Sequence, residues 1–302
     1  MTIVVGKIEP LKKLKEILND NGITRFNSIG EINAFIKNYE SEKKEIPKII
    51  KISLDEEIKN LGETSKQAIE KSNKNIFNKI VYYLKIKALT NKKSSLENNY
   101  EKAISTRCME SYKKMDFTKE VVDGLYTIIA GAVGENLTVK ELQKLSNDYY
   151  LINDFSVKFD PPIYNKNKND RIFSIQIDHL LICKSGVFLL ETKNWSNKSI
   201  KNLDLRSPVE QISRTSYTLF VLLNSESNIN LARHHWGSAK IPIRNIIVMT
   251  KVKPKEEFKH VKVLTLNELN GYIKYFDEIF NNDEVKHIFN YLNNKTNKDR
   301  HS

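Results

Sequence analysis

Leu54, Ile58, Leu61, Ser65, Ala68, Ser72, Ile76 and Ile80 place apolar or small side chains at near-heptad spacing along the chain, the signature of one helix face. From Pro47 to about Met115 there is almost no strand signal, so this stretch predicts a long helix. If Ser53 to Leu89 is continuous it spans about 55 Å at roughly 1.5 Å per residue. Asn91-Lys92-Lys93-Ser94-Ser95 reads as its break. A second helix carrying Leu96, Tyr100, Ala103 and Ile104 reads as an antiparallel return, giving a helical hairpin. Residues 47–115 are therefore expected to form a hairpin arm, and residues 1–46 a small helical cap with a short strand at the N-terminus.

After Met115 the pattern becomes an alternation of helix and strand. Glu120 to Leu145 predicts a helix whose small residues Ala130, Gly131 and Ala132 allow close packing. Strands are expected at Tyr149–Phe159, at Ile172–Cys183 and, after a tight turn, at Val187–Trp195, with a break at Pro161-Pro162 between the first two. Ser207-Pro208-Val209-Glu210 announces a helix, because Ser caps, Pro suits the first helical position and Glu completes a capping box. Ile241–Thr250 and Val261–Leu264 predict further strands, and Leu266–Leu292 a helical tail. The fold class is α/β: a mixed sheet flanked by helices in the order α-β-β-β-α-β. Residues 116–265 form this core and 266–302 a helical tail packed on it.

The segment QIDHLLICKSGVFLLETKNW, residues 176 to 195, carries the candidate chemistry, since ionisable groups interrupt two otherwise apolar strands. Period-2 geometry places Gln176, Asp178, Leu180 and Ile182 on one face, and Glu191 with Lys193 on one face of the next strand. A turn with an even number of residues, Lys184-Ser185 or Cys183 to Gly186, sets Asp178 opposite Glu191 and Gln176 opposite Lys193. A three-residue loop sends the carboxylates to opposite faces unless a bulge restores them. Facing carboxylates repel, so the pair asks for a divalent cation, and oxygen ligands with retained waters suit Mg²⁺ or Mn²⁺. Lys193 then stabilises charge on a phosphate or helps to deprotonate a water. The plainer reading is an ion-pair cluster at a sheet edge.

Composition shifts the weight among partners. The chain has 302 residues and a formal charge of +12, which suits a polyanion, with nucleic acid first and an anionic membrane surface after it. The plainer alternative is a Lys-, Asn- and Ile-rich composition that only keeps the chain in solution. Between Lys71 and Lys93 there are seven lysines and no acid, interleaved with Phe77, Tyr82 and Tyr83. Such a run fits a nucleic-acid-binding arm. Tyr83, however, continues the stripe begun at Leu54, which favours a coiled-coil core with a solvated basic face. Cys108 and Cys183, far apart and each in apolar surroundings, imply neither a disulfide framework nor a zinc site. The N-terminus lacks a signal-peptide pattern and no uncharged apolar stretch nears ~18 residues. A cytoplasmic protein with no membrane partner is expected, and one able to form homo-oligomers or dock a protein through residues 53–115.

The ordered elements Gly134-Glu135, Gln176-Ile177-Asp178-His179, Glu191-Thr192-Lys193-Asn194-Trp195 and Ser207-Pro208-Val209-Glu210-Gln211 resemble the nuclease-related domain, NERD, of the PD-(D/E)xK superfamily. The likeness covers about Ile129 to Leu223, and the strand at Ile241–Thr250 fits the last core strand. It implies a restriction-endonuclease-like core and metal-dependent nuclease activity, on DNA ahead of RNA. By position, Asp178 and Glu191 become metal ligands and Lys193 the catalytic lysine. Glu135 becomes a helix-borne acid near a second metal or its water, and Gln211 a polar residue facing the site. Ile177 stands where the superfamily usually has proline.

Each of these residues also has a bland role. Glu135 reads equally as an exposed helical acid, His179 as a core or supporting histidine, and Trp195 as packing at a sheet edge. His234-His235 beside Trp236 read as surface residues or phosphate contacts. Lys184, Lys198, Arg206 and Arg214 are the candidate nucleic-acid contacts, and Gln176 and His179 the supporting residues. The alternative to catalysis is a nucleic-acid-binding or scaffolding protein on the same fold.

Overall fold

The computed structural model describes residues 1–73, 76–195, 206–224 and 240–300. They divide into two compact units, one of Asn21–Leu125 and one that joins Met1–Asp20 to Tyr126–Ser302.

The first unit is helical. Ser28 caps α2 (Ile29–Ser72) by accepting from the Glu31 amide, 3.2 Å away. At roughly 1.5 Å per residue α2 is about 66 Å long, and it runs through Pro47. The chain then reverses, and α3 (Ile76–Asn98) and α4 (Tyr100–Gly124) return along it. Glu57 receives Lys92 at 2.9 Å and Arg107 at 2.7 Å, and Lys43 meets Asp116 at 2.6 Å. A hairpin was expected, with its break at Asn91–Ser95. That segment instead lies inside α3, where Thr90 Oγ1 donates to the Ile86 carbonyl and Lys92 pairs with Glu57. It contains neither Gly nor Pro, so nothing in it forbids helix once such pairings form.

The second unit is built on one six-stranded sheet in the order β1-β2-β3-β4-β5-β6. The strands are β1 (Ile3–Val5), β2 (Tyr150–Asn165), β3 (Asp170–Cys183), β4 (Gly186–Lys193), β5 (Ile243–Met249) and β6 (Lys262–Thr265). The β2–β3 and β3–β4 pairs are antiparallel and the others parallel, so the sheet is mixed. One face packs on α6 (Arg206–Asn224) and α8 (Asn282–Arg300) through Ile212, Leu219, Ile288 and Leu292. The other packs on α5 (Tyr126–Leu142) and α7 (Leu266–Lys274) through Val139, Leu142, Leu269 and Ile273. The expected α-β-β-β-α-β core is α5-β2-β3-β4-α6-β5.

Boundaries shift where tertiary contacts outweigh local signals. The helix expected over Glu120–Leu145 divides at Leu125 into α4 and α5. β2 continues past Pro161-Pro162, absorbing the prolines in a register shift between Lys158 and Ile163. Residues 1–20, grouped on sequence with the cap, belong to the sheet: β1 pairs with β2, and Thr2 Oγ1 donates to the Leu142 carbonyl at 2.7 Å. α1 (Glu9–Asp20) packs against α5 and buries Leu14 and Leu18.

The alternation of β2 and β3 skips a beat at one level of the sheet. Ile152, Phe155 and Val157 share the face toward α6, as do Ile175, Ile177, Leu180 and Ile182, so parity changes between 152 and 155 and between 177 and 180. Asp154, at φ +51°, sits in the first gap and Asp178 in the second.

Candidate active site

The β3–β4 hairpin pairs Cys183 with Gly186 and continues to His179 with Leu190, so the loop is the two residues Lys184-Ser185. Gly186 has φ +127°, and a Cβ there would stand 2.7 Å from the Pro242 carbonyl oxygen, so the turn needs glycine. The even register holds, and carried one step further it sets Asp178 opposite Glu191. Beyond that point the strands part. The Thr192 amide donates 2.8 Å to the Asp178 carboxylate rather than to β3 backbone.

On the other side of β3, Asn153 pairs with His179 and Phe155 with Ile177, which brings Asp154 opposite Asp178. Asp154, Asp178 and Glu191 thus stand at one level across three adjacent strands. Gln176 Nε2 donates to Asp154 Oδ1 at 2.9 Å. The expected pairing of Gln176 with Lys193 does not form, because β3 and β4 have separated before reaching it.

Helix α5 contributes the fourth acid. Gly134 lets it approach β4 so closely that a Cβ would lie 2.9 Å from Asn194 Cβ and 3.3 Å from Thr192 Cγ2. Asn194 Nδ2 donates to the Ala130 carbonyl at 2.7 Å, and Thr192 Oγ1 reaches Thr138 Oγ1 at 3.1 Å. The next residue, Glu135, is only 7% exposed, so it is not the exposed helical acid of its bland reading. Burial, with the negative charges of Asp178 and Glu191 next in weight, pushes its carboxyl up to about 9. Asp178 is pushed up to about 7 by burial and then by Glu191, against the opposing Thr192 amide and Lys193. Glu191 is buried and accepts from Lys193 Nζ at 2.8 Å.

These oxygens are hard donors that repel one another in a place shielded from water, which is the chemistry a divalent cation relieves. Among the described residues no three His, Cys, Asp or Glu side chains converge into a ready cage. A magnesium ion does not require one, since it keeps several waters and takes one or two carboxylates. Asp178 and Glu191 are the carboxylates that could hold such an ion.

The other sequence candidates scatter. His179 is fully buried, its Nδ1 donating to Asn153 Oδ1 at 2.8 Å, while Nε2 has no hydrogen-bonding partner among the described residues. Burial pushes it down to about 3, so it stays neutral and is no proton shuttle. Gln211 is exposed on α6. Arg214, on the same helix, clasps Asp170 with Nε 2.5 Å and Nη2 3.3 Å from its oxygens, which ties up its guanidinium. Lys184 lies in the hairpin turn, six residues from Asp178 and so about 20 Å along the strand. It pairs with Glu278 at 3.4 Å, and its carbonyl accepts from Ile279 and Phe280. That place is remote from the acids. Trp195 packs against the α6 side of the core. Lys198, the Arg206 side chain and His234-His235-Trp236 lie outside the described residues.

Asp154 was not foreseen. The signal was present in the sequence: Asn153-Asp154 interrupts the apolar run of β2 as Asp178 interrupts β3.

Residues 130–250 match the family model of the nuclease-related domain, NERD. An uncharacterized protein of Bacillus anthracis is 28% identical over 176 residues, which cover 53% of this chain and 73% of that protein. No solved structure matches the chain.

Proposed function

We propose, for a chain whose residues 130–250 match the nuclease-related domain, that it hydrolyses phosphodiester bonds of nucleic acid, DNA ahead of RNA, with a divalent cation held by Asp178 and Glu191. The observation that carries the reading is the row Asp154–Asp178–Glu191 where β3 and β4 part, with buried Glu135 beside it. A bound Mg²⁺ or Mn²⁺ supplies Lewis acidity toward the scissile phosphate and a more acidic water.

The chain's own groups do the rest. Lys193, already drawn to Glu191 and 22% exposed on its side chain, places a positive charge where a phosphate gains negative charge. Asp178 is oriented by the Thr192 amide. Glu135, protonated at neutral pH when no cation is present, can give up its proton as positive charge enters. Gln176 holds Asp154 on the β2 side of the row. The net charge of +12 favours a polyanionic substrate.

The test is cleavage of plasmid, linear and single-stranded DNA and of RNA with Mg²⁺ or Mn²⁺. Asp178→Asn, Glu191→Gln and Lys193→Ala are each expected to lower cleavage at least about a hundredfold while circular dichroism is unchanged. Full activity in the Asp178 variant overturns the proposal. Salt-sensitive binding without product under any divalent ion would assign the protein to the non-catalytic class.

A further inference from the structure

Helix α3 presents a bare apolar face. Tyr82, Ile86 and Leu89 are half-buried, whereas Phe77, Ile80, Val81 and Leu84 are 75%, 73%, 57% and 73% exposed. At about 100° per residue these four fall within a stripe roughly 100° wide, centred opposite Tyr82. Exposed Lys87 borders it on one side and exposed Lys85 on the other. No Asp or Glu occurs from Lys71 to Lys93. Two turns of contiguous aliphatic and aromatic surface facing water mark a docking site rather than a solvated helix face.

Charge and shape together select the occupant. A second copy of this helix would bring lysines against lysines. Nucleic acid would engage the lysines but has nothing for Ile80, Val81 and Leu84. A bilayer surface with anionic lipid satisfies both: the apolar stripe enters the headgroup boundary, and the lysine stems reach out to lipid phosphates.

The geometry points to α3 as a surface that docks on anionic membrane, lying in the interface. No described helix is long and apolar enough to cross a bilayer. The inference replaces the expectation of no membrane partner and is independent of the nuclease reading.

The experiment is flotation of the full chain with vesicles of phosphatidylcholine alone or with about a third phosphatidylglycerol. The protein is expected to float with the anionic vesicles only. Ile80→Ser with Leu84→Ser, and separately Lys85→Glu with Lys87→Glu, are each expected to cut the bound fraction at least roughly tenfold with helix content unchanged. Absence of binding to anionic vesicles overturns the inference, as does binding that survives the Ile80 and Leu84 changes. So does a stripe-dependent dimer, measured by mass, that persists without lipid and abolishes flotation.

Discussion

Burial and two neighbouring carboxylates hold the Glu135 carboxyl far above its ordinary range, and that fixes the sign of its pH dependence. A carboxyl whose folded pKa is raised stabilises the fold below its unfolded pKa, and the benefit is lost as pH climbs toward the folded value. The window therefore runs from about 4.5 to about 9. Glu135→Gln is expected to stabilise the cation-free protein at pH 8 by about 1–3 kcal/mol, and the difference is expected to vanish below pH 4.5. Urea unfolding at the two pH values checks this, and an unchanged midpoint at pH 8 would refute the electrostatic picture. Asp178, Glu191 and Lys193 were legible in sequence because each breaks a clean apolar strand. Asp154 breaks one as well, but its partnership with Asp178 depends on the β2–β3 register, and the long loop-like stretch through Pro161-Pro162 hid that register.

Near the acids, Gly134 brings α5 closely against the end of β4. Asn194 cannot swing aside, because its side chain is bonded both to the Ala130 carbonyl and to Thr250 Oγ1. Gly134→Ala gains about 1 kcal/mol of helix propensity but forces a contact whose strain costs about 1–3 kcal/mol. The expected outcome is a net loss of up to about 2 kcal/mol in chemical denaturation, with cleavage falling as Glu135 is carried away from β4. A stabilised, fully active variant would show that the approach does not position the acid. Strand periodicity found β3, β4 and β5 to within a few residues, since each is buried on two faces and reads as a continuous apolar run. Helix ends were harder to read. The reversal near Asn73 carries no glycine or proline, while the polar run at Asn91–Ser95 is held helical by pairing across to Glu57, which no local pattern reveals.

At the scale of the whole molecule the sheet unit is discontinuous, with residues 1–20 and 126–302 on either side of the helical unit in sequence. Removing residues 1–20 discards β1, the Thr2–Leu142 bond and buried Ile8, Leu14 and Leu18. Each such side chain contributes about 1.5–3 kcal/mol when fully buried, so the truncation is expected to destabilise the sheet unit by at least about 3 kcal/mol. Hydrogen exchange is the readout: protection should fall across β2 and α5 and persist in α2. The same discontinuity sets a timetable for biosynthesis. Ile3 must wait for Tyr150, and at about 5–20 residues per second the ribosome takes roughly 7–30 s to supply it. The helices of residues 21–125 need only one another and can close within that interval. The acids, which close across strands ending at Lys193, thus come together after the helical unit has had time to form.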